Sequence, residues 1–179
     1  MNSGAHYNDQ AIHFGDNNFS PLTGLETAIE QIKREWGRDD DLVEIIEELA
    51  DYITDHPERE VVGLEKKLQR GGRLDLFGRA SFLKNKFSRR VAKNQMSIAE
   101  QRVYIQILAA INTIWYQQIH PLIVSGVSRP EIDALILENL IKPVHQAVVR
   151  FDSSVTTETV SGMLYFLTGK CHLVWGAEC

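Results

Sequence analysis

Cysteine is nearly absent: the only two, Cys171 and Cys179, fall near the end of the chain. Two thiols make no disulfide framework and are too few for a structural zinc site, and a reducing compartment fits them. Also missing is any run of about 18 apolar residues free of polar interruptions, the length a membrane helix needs. The first ten residues, MNSGAHYNDQ, hold neither a basic stretch nor an apolar one, so no export signal is read there. These absences predict a soluble, cytoplasmic protein with no membrane contact. Period-two alternation of Val and Thr is scarce, and several of the five prolines fall at predicted helix edges. Both point away from sheets and towards an all-α class. No phosphate-binding loop is present either, because Gly71-Gly72 lacks the following Lys-Ser/Thr and a preceding strand. There is no internal repeat and no low-complexity tract.

What the chain does have is one dominant apolar stretch, SIAEQRVYIQILAAINTIWYQQI, from Ser97 to Ile119. Ser97 with Glu100 three residues on is a capping-box start, and His120-Pro121 reads as a stop, since proline disfavours helix in the residue before it. The stretch predicts one helix of roughly 34 Å. Tyr104, Ile107, Leu108, Ile111, Ile114, Trp115 and Ile119 form a stripe at three- and four-residue steps. Ile98, Val103, Ile105, Ala109, Ala110 and Tyr116 widen it, so neighbouring helices should wrap this one on most sides. The expected fold is a compact all-α helical bundle around a central helix at about 97–119. With 179 residues and 44% hydrophobic content, one well-filled domain plus an N-terminal extension is the natural division.

Along the chain, residues 1–19 show no periodicity and read as a mobile arm. Residues 20–60 read as an acidic helical pair. The first member starts at Ser20-Pro21, carries Leu22, Leu25, Ile29, Ile32 and Trp36, and ends at Gly37; the second spans about 41–54. Residues 61–179 form the main helical domain. A short basic helix runs from Gly63 to Arg70 and closes at Gly71-Gly72. From Arg73 a further helix has an apolar side of Leu74, Phe77, Ala80, Phe82, Leu83, Phe87 and Val91. Ser128 and Glu131 make a second capping box with Pro130 in the first turn, and Pro143 kinks the chain or starts another helix. Thr156 or Thr157 caps the last helix, Gly169 ends it, and Cys171–Trp175 is a short apolar tail that could be extended.

The formal net charge of −5 conceals segregation. Residues 1–60 hold 15 acids and 4 bases, a net of −11, whereas residues 66–93 hold 10 bases against Asp75 alone, a net of +9. The basic block makes Lys66, Lys67, Arg70, Arg73, Arg79, Lys86, Arg89, Arg90 and Lys93 the candidates for binding a partner or nucleic acid. An acidic segment folded over a basic one would produce the same pattern. Phe77, Phe82 and Phe87 could stack on bases, but their spacing follows the apolar stripe and assigns them to the core.

No catalytic, cofactor-binding or metal-binding constellation is found. Glu65-Lys66-Lys67 has the spelling of a two-metal nuclease element without the strands that would carry it. Cys171 lacks a positioned base, since consecutive side chains such as its own and that of His172 point apart. His120 is expected to bond carbonyls at a helix end.

Three stretches together support a family reading: LEKKLQRGGRLDLFGRASFLKNKF at Leu64–Phe87, the Gln101–Leu122 helix ending IHPL, and SGMLYFLTGKCHLVW at Ser161–Trp175. From Leu64 to Trp175 the chain resembles the C-terminal domain of effectors in ABC-three component systems, bacterial anti-phage systems built around an SMC-like ABC ATPase. The resemblance implies a helical, non-catalytic domain that tethers an effector to the ATPase and a middle component within a hetero-oligomer, with possible DNA contact through the complex. Residues 1–60 carry no toxic domain of the kind such effectors place ahead of this region. That predicts either a stand-alone adaptor or the C-terminal part of a larger polypeptide, with the initial methionine favouring the adaptor. The other reading is a small nucleic-acid-binding regulator using the 66–93 face.

Overall fold

The computed structural model describes residues 21–34, 50–55, 61–92 and 97–176. Among them every regular element is helical. The main helices begin where side chains can satisfy the amide groups left free in a first turn. At Ser97 the hydroxyl accepts from the Glu100 amide at 3.2 Å, while the Glu100 carboxylate accepts from the Ser97 amide at 2.8 Å. At Ser128 both the amide and the hydroxyl donate to Glu131, at 3.3 and 2.6 Å. Thr156 and Thr159 form the third box, reciprocal at 3.2 Å, with threonine in the place usually held by glutamate. The resulting elements are α1 (Pro21–Arg34), α2 (Gly63–Arg70), a single 3₁₀ turn (Leu74–Leu76), α3 (Phe77–Ala92), α4 (Ile98–Ile114), α5 (His120–Val124), α6 (Arg129–Leu135), α7 (Lys142–Val149) and α8 (Thr157–Gly169).

His120-Pro121 does not stop the central helix. Trp115–Ile119 forms one π turn between α4 and α5, with the His120 amide donating to the Trp115 carbonyl five residues back. A proline ring clashes with the carbonyl four residues before it, and one extra residue in the turn moves that carbonyl aside. The helix therefore runs on to Val124. The same device precedes Pro143: Ile136–Ile141 is a π turn joining α6 to α7, and the Lys142 amide donates to Leu137. Of the expected acidic pair, α1 is formed, and Leu25, Ile29 and Ile32 are buried against the α4 core. The predicted helix at 41–54 lies largely outside the described residues; Ala50–Ile53 is its helical end.

Tyr104, Ile107, Leu108, Ile111, Ile114, Trp115 and Ile119 are all buried, so α4 is the centre of the bundle as its stripe requires. The most extensive helix pair is α3 on α8. They approach closely at Gly162, where an added Cβ would lie 2.8 Å from the Leu83 carbonyl oxygen. Phe87 fills the space beside it, edge-on to Phe166 and Tyr104 at centroid distances of 5.2 and 5.9 Å.

After α8 the chain turns at Cys171, a buried residue with φ +66°, and the His172 amide caps the Leu167 carbonyl at 2.9 Å. The tail that follows has no helix or ladder to satisfy its carbonyls, and buried carbonyls need donors. Side chains from distant elements supply them. Tyr116 Oη donates to His172 O at 2.7 Å, Lys67 Nζ to Leu173 O at 3.2 Å, Trp115 Nε1 to Val174 O at 3.1 Å and His120 Nε2 to Gly176 O at 3.3 Å. Trp175 packs on Trp115 at 4.6 Å and donates Nε1 to Thr168 Oγ1 at 2.9 Å. On its other side stands Gly71, where a Cβ would come within 2.8 Å of the Trp175 Cβ. This clasp fixes the tail along the length of the core.

Candidate interaction surface

The candidate basic residues of 66–93 that the structure describes divide into three groups, with Lys84, half-buried beside Gly169, outside them. Lys67 and Arg73 are turned inward, 7% and 3% exposed, which removes them from the surface that their charge suggested. Lys67 holds Leu173. Arg73 donates Nε to Asp133 at 3.0 Å and Nη1 to Gly71 O at 2.9 Å, with its guanidinium 5.1 Å from the Trp175 ring centroid. Burial of a cation is tolerated only with such partners. Arg129 extends the network, donating to Gly72 O at 3.0 Å and to Asp75 at 2.6 Å, so the 71–75 turn is tied to the start of α6.

The Arg129 hydrogen bond holds the Asp75 carboxyl below its ordinary range. A folded-state pKa below the unfolded one gives stability that is present above the unfolded value and lost as pH falls through the folded one. Asp75→Asn is therefore expected to flatten the acid limb of the stability curve. Denaturant midpoints should differ from the parent near neutral pH and converge below the carboxylate range; a difference independent of pH would reject the coupling.

Lys86 and Arg90 form the second group, paired across the α3–α8 junction. Lys86 meets Glu158 at 3.3 Å, both exposed. Arg90 meets Ser154 Oγ at 2.7 Å and Asp152 at 3.5 Å, and lies over Tyr104 at 5.4 Å from the ring centroid. Burial pushes the Tyr104 phenol up to about 12, so it stays protonated. Beside it a pocket of about 350 Å³ opens between α1, α4 and the 151–152 turn.

The third group, Lys66 and Arg70 on α2 and Arg79 and Arg89 on α3, is exposed and meets no acid among the described residues. Lys93 lies outside the described residues. Phe82 sits among the α3 cations 60% exposed, not in the core; only Phe87 is fully buried, with Phe77 packed at the core edge. The inward row of α3 is Ala80, Leu83 and Phe87, and Phe82 is one position off it. The signal that could have found this is helical phase: Phe82 is three and four residues from Arg79 and Lys86, on their face.

The remaining chemical candidates have structural roles. Glu65 is exposed on a helix, while the Lys67 amine is held by a carbonyl. The His172 ring lies tilted against Tyr52 at a centroid distance of 5.7 Å and meets Thr54 O at 3.2 Å, and the Cys171 thiol is buried. Among the described residues no group of three or more His, Cys, Asp or Glu is placed to hold a metal ion. No described helix is long and apolar enough to cross a membrane.

A family model for C-terminal domain 9 of the ABC-three component (ABC-3C) systems matches residues 63–175. The chain belongs to that family. Comparisons with curated proteins and with solved structures gave no match. The limits of the matched ABC-3C domain have a physical counterpart, because α2 begins at Gly63 and the clasp secures Trp175. The first and last segments of the match are joined directly by Lys67 and Leu173. The α1 helix lies outside the match but shares its core through Leu25 and Ile29.

Proposed function

We propose that this chain is a non-catalytic interaction subunit of an ABC-3C anti-phage complex in the cytoplasm, coupling an effector to the SMC-like ABC ATPase and a middle component without a cofactor. The observation that carries this reading is the family match over residues 63–175. The disposition of charge supports it: inner cations brace the fold, and the outer ones are left facing solvent on α2 and α3. In this reading the unit is residues 61–179, and the α1 helix of the acidic 20–60 region is packed into its core.

A second reading, a small nucleic-acid-binding regulator, is favoured by one feature, the exposed set Lys66, Arg70, Arg79 and Arg89. The two separate by co-purification. The tagged full chain, co-expressed with the ATPase and middle component of its system, should recover both, equally with and without nuclease treatment. Complete loss on nuclease treatment, with DNA affinity falling steeply with salt, would establish the regulator instead.

A further inference from the structure

The outer face of α3 contains one side chain and one gap that the domain itself does not use. Phe82 is 60% exposed. Gly78, one turn before it, stands where an added Cβ would meet nothing within 4 Å, and its φ is not among the positive ones. A glycine in a helix costs backbone entropy, less in a first turn than in the interior, and among the described residues neither crowding nor backbone geometry asks for one here. Gly78, Phe82 and Arg89 follow at four and seven residues and share one face, with Arg79 beside them. Arg79 and Arg89 stand roughly 15 Å apart along the axis, one on each side of Phe82.

We propose that this face, comprising Gly78, Arg79, Phe82 and Arg89, is the docking site for another protein component of the complex, which receives the Phe82 ring in an apolar pocket flanked by carboxylates. The missing side chain at Gly78 lets that component approach the helix backbone next to the ring, and its carboxylates meet the two arginines. An exposed aromatic ringed by charged residues is the arrangement that concentrates binding energy when a partner desolvates it. The charges favour a protein over a nucleic acid. Affinity for a phosphate backbone grows with the number of phosphates neutralised, and with Lys86 and Arg90 paired to Glu158 and Asp152 this face offers only Arg79 and Arg89.

The inference rests on the assembly proposed above, and the test keeps the two apart. The full chain and its Phe82→Ala, Gly78→Ala and Arg79→Glu/Arg89→Glu variants are titrated against the co-purified ATPase and middle component, and each variant is melted alone. Phe82→Ala should weaken binding at least tenfold with an unchanged melting temperature. Gly78→Ala should weaken it severalfold while melting at the same temperature or higher, a combination that a merely structural glycine would not give. The charge reversal should weaken it at least tenfold. If the parent assembles and the Phe82 and Gly78 variants assemble equally well, the docking site is wrong and the adaptor reading stands. If the parent does not assemble, both fall together. If Phe82→Ala instead loses affinity for a labelled DNA oligonucleotide and for no protein component, the face is a nucleic-acid surface and the proposal is overturned.

Discussion

Replacing Gly162 by alanine is expected to lower the melting temperature by about 5–10 °C, the shift that about 2–3 kcal/mol produces in a chain of this size. The added Cβ would meet the Leu83 carbonyl oxygen at 2.8 Å, the Leu83 carbonyl carbon at 3.4 Å and the Phe87 Cβ at 3.3 Å. Two of these atoms are backbone and the third is the root of a side chain, so none can rotate away. The α3 and α8 axes must separate instead, and Phe87, 2% exposed and in edge contact with two rings, loses packing with them. Gly169 supplies the control. An alanine there would have the outer part of the flexible Lys84 side chain as its nearest neighbour, from 3.0 Å, and should change stability by no more than about 0.5 kcal/mol. Equal melting temperatures for the two variants would mean that the helix pair is not closely packed at Gly162.

Trp175→Ala should cost about 3–5 kcal/mol, the usual range for truncating a buried tryptophan. The ring is 2% exposed, lies 4.6 Å from Trp115 and stacks on Tyr165 at 6.5 Å with an interplanar angle of 12°. Arg73 is also stranded, because its guanidinium covers that ring. Near-ultraviolet circular dichroism and thermal melting report the loss, and the effect should spread to Trp115, whose indole bonds the neighbouring Val174 carbonyl. Trp175→Phe keeps most of the packing and removes the bond to Thr168, so it should cost roughly 1–2 kcal/mol. A Trp175→Ala variant melting within a degree or two of the parent would show that the clasp adds little to the fold.

The parts of this fold readable in advance are those whose causes lie within a few residues of one another. Ser97 with Glu100, Ser128 with Glu131 and Thr156 each announce a helix start because donor and acceptor sit three residues apart. The α4 stripe is equally local, and all seven of its named residues are buried. Pro121 misleads for a related reason: its local effect is real, but one π turn, with Trp115 and Ile119 buried at its two ends, absorbs it. The basic block is legible only in part. Nothing near Lys67 or Arg73 reveals that their partners are Leu173, Asp133 and Trp175, some 60 to 106 positions away. Phe82 shows a different limit: the 77-82-87 spacing reads as part of the apolar stripe, yet steps of five residues drift around a helix, and Phe82 falls off the row of Ala80, Leu83 and Phe87.

The clasp also orders events during synthesis. Its donors Lys67, Trp115, Tyr116 and His120 are made 56 to 106 residues before the carbonyls that accept from them. Contacts so distant along the chain are costly to close and form late. A nascent chain has made the residues of α2 to α5 before Leu173 exists to meet the Lys67 ammonium or Trp175 to cover the indole of Trp115. Closure waits for the last matched residues to emerge. A product broken off before Leu173 would leave the apolar surface beneath the tail uncovered, with Trp115 lacking the Trp175 ring and Lys67 lacking the Leu173 carbonyl.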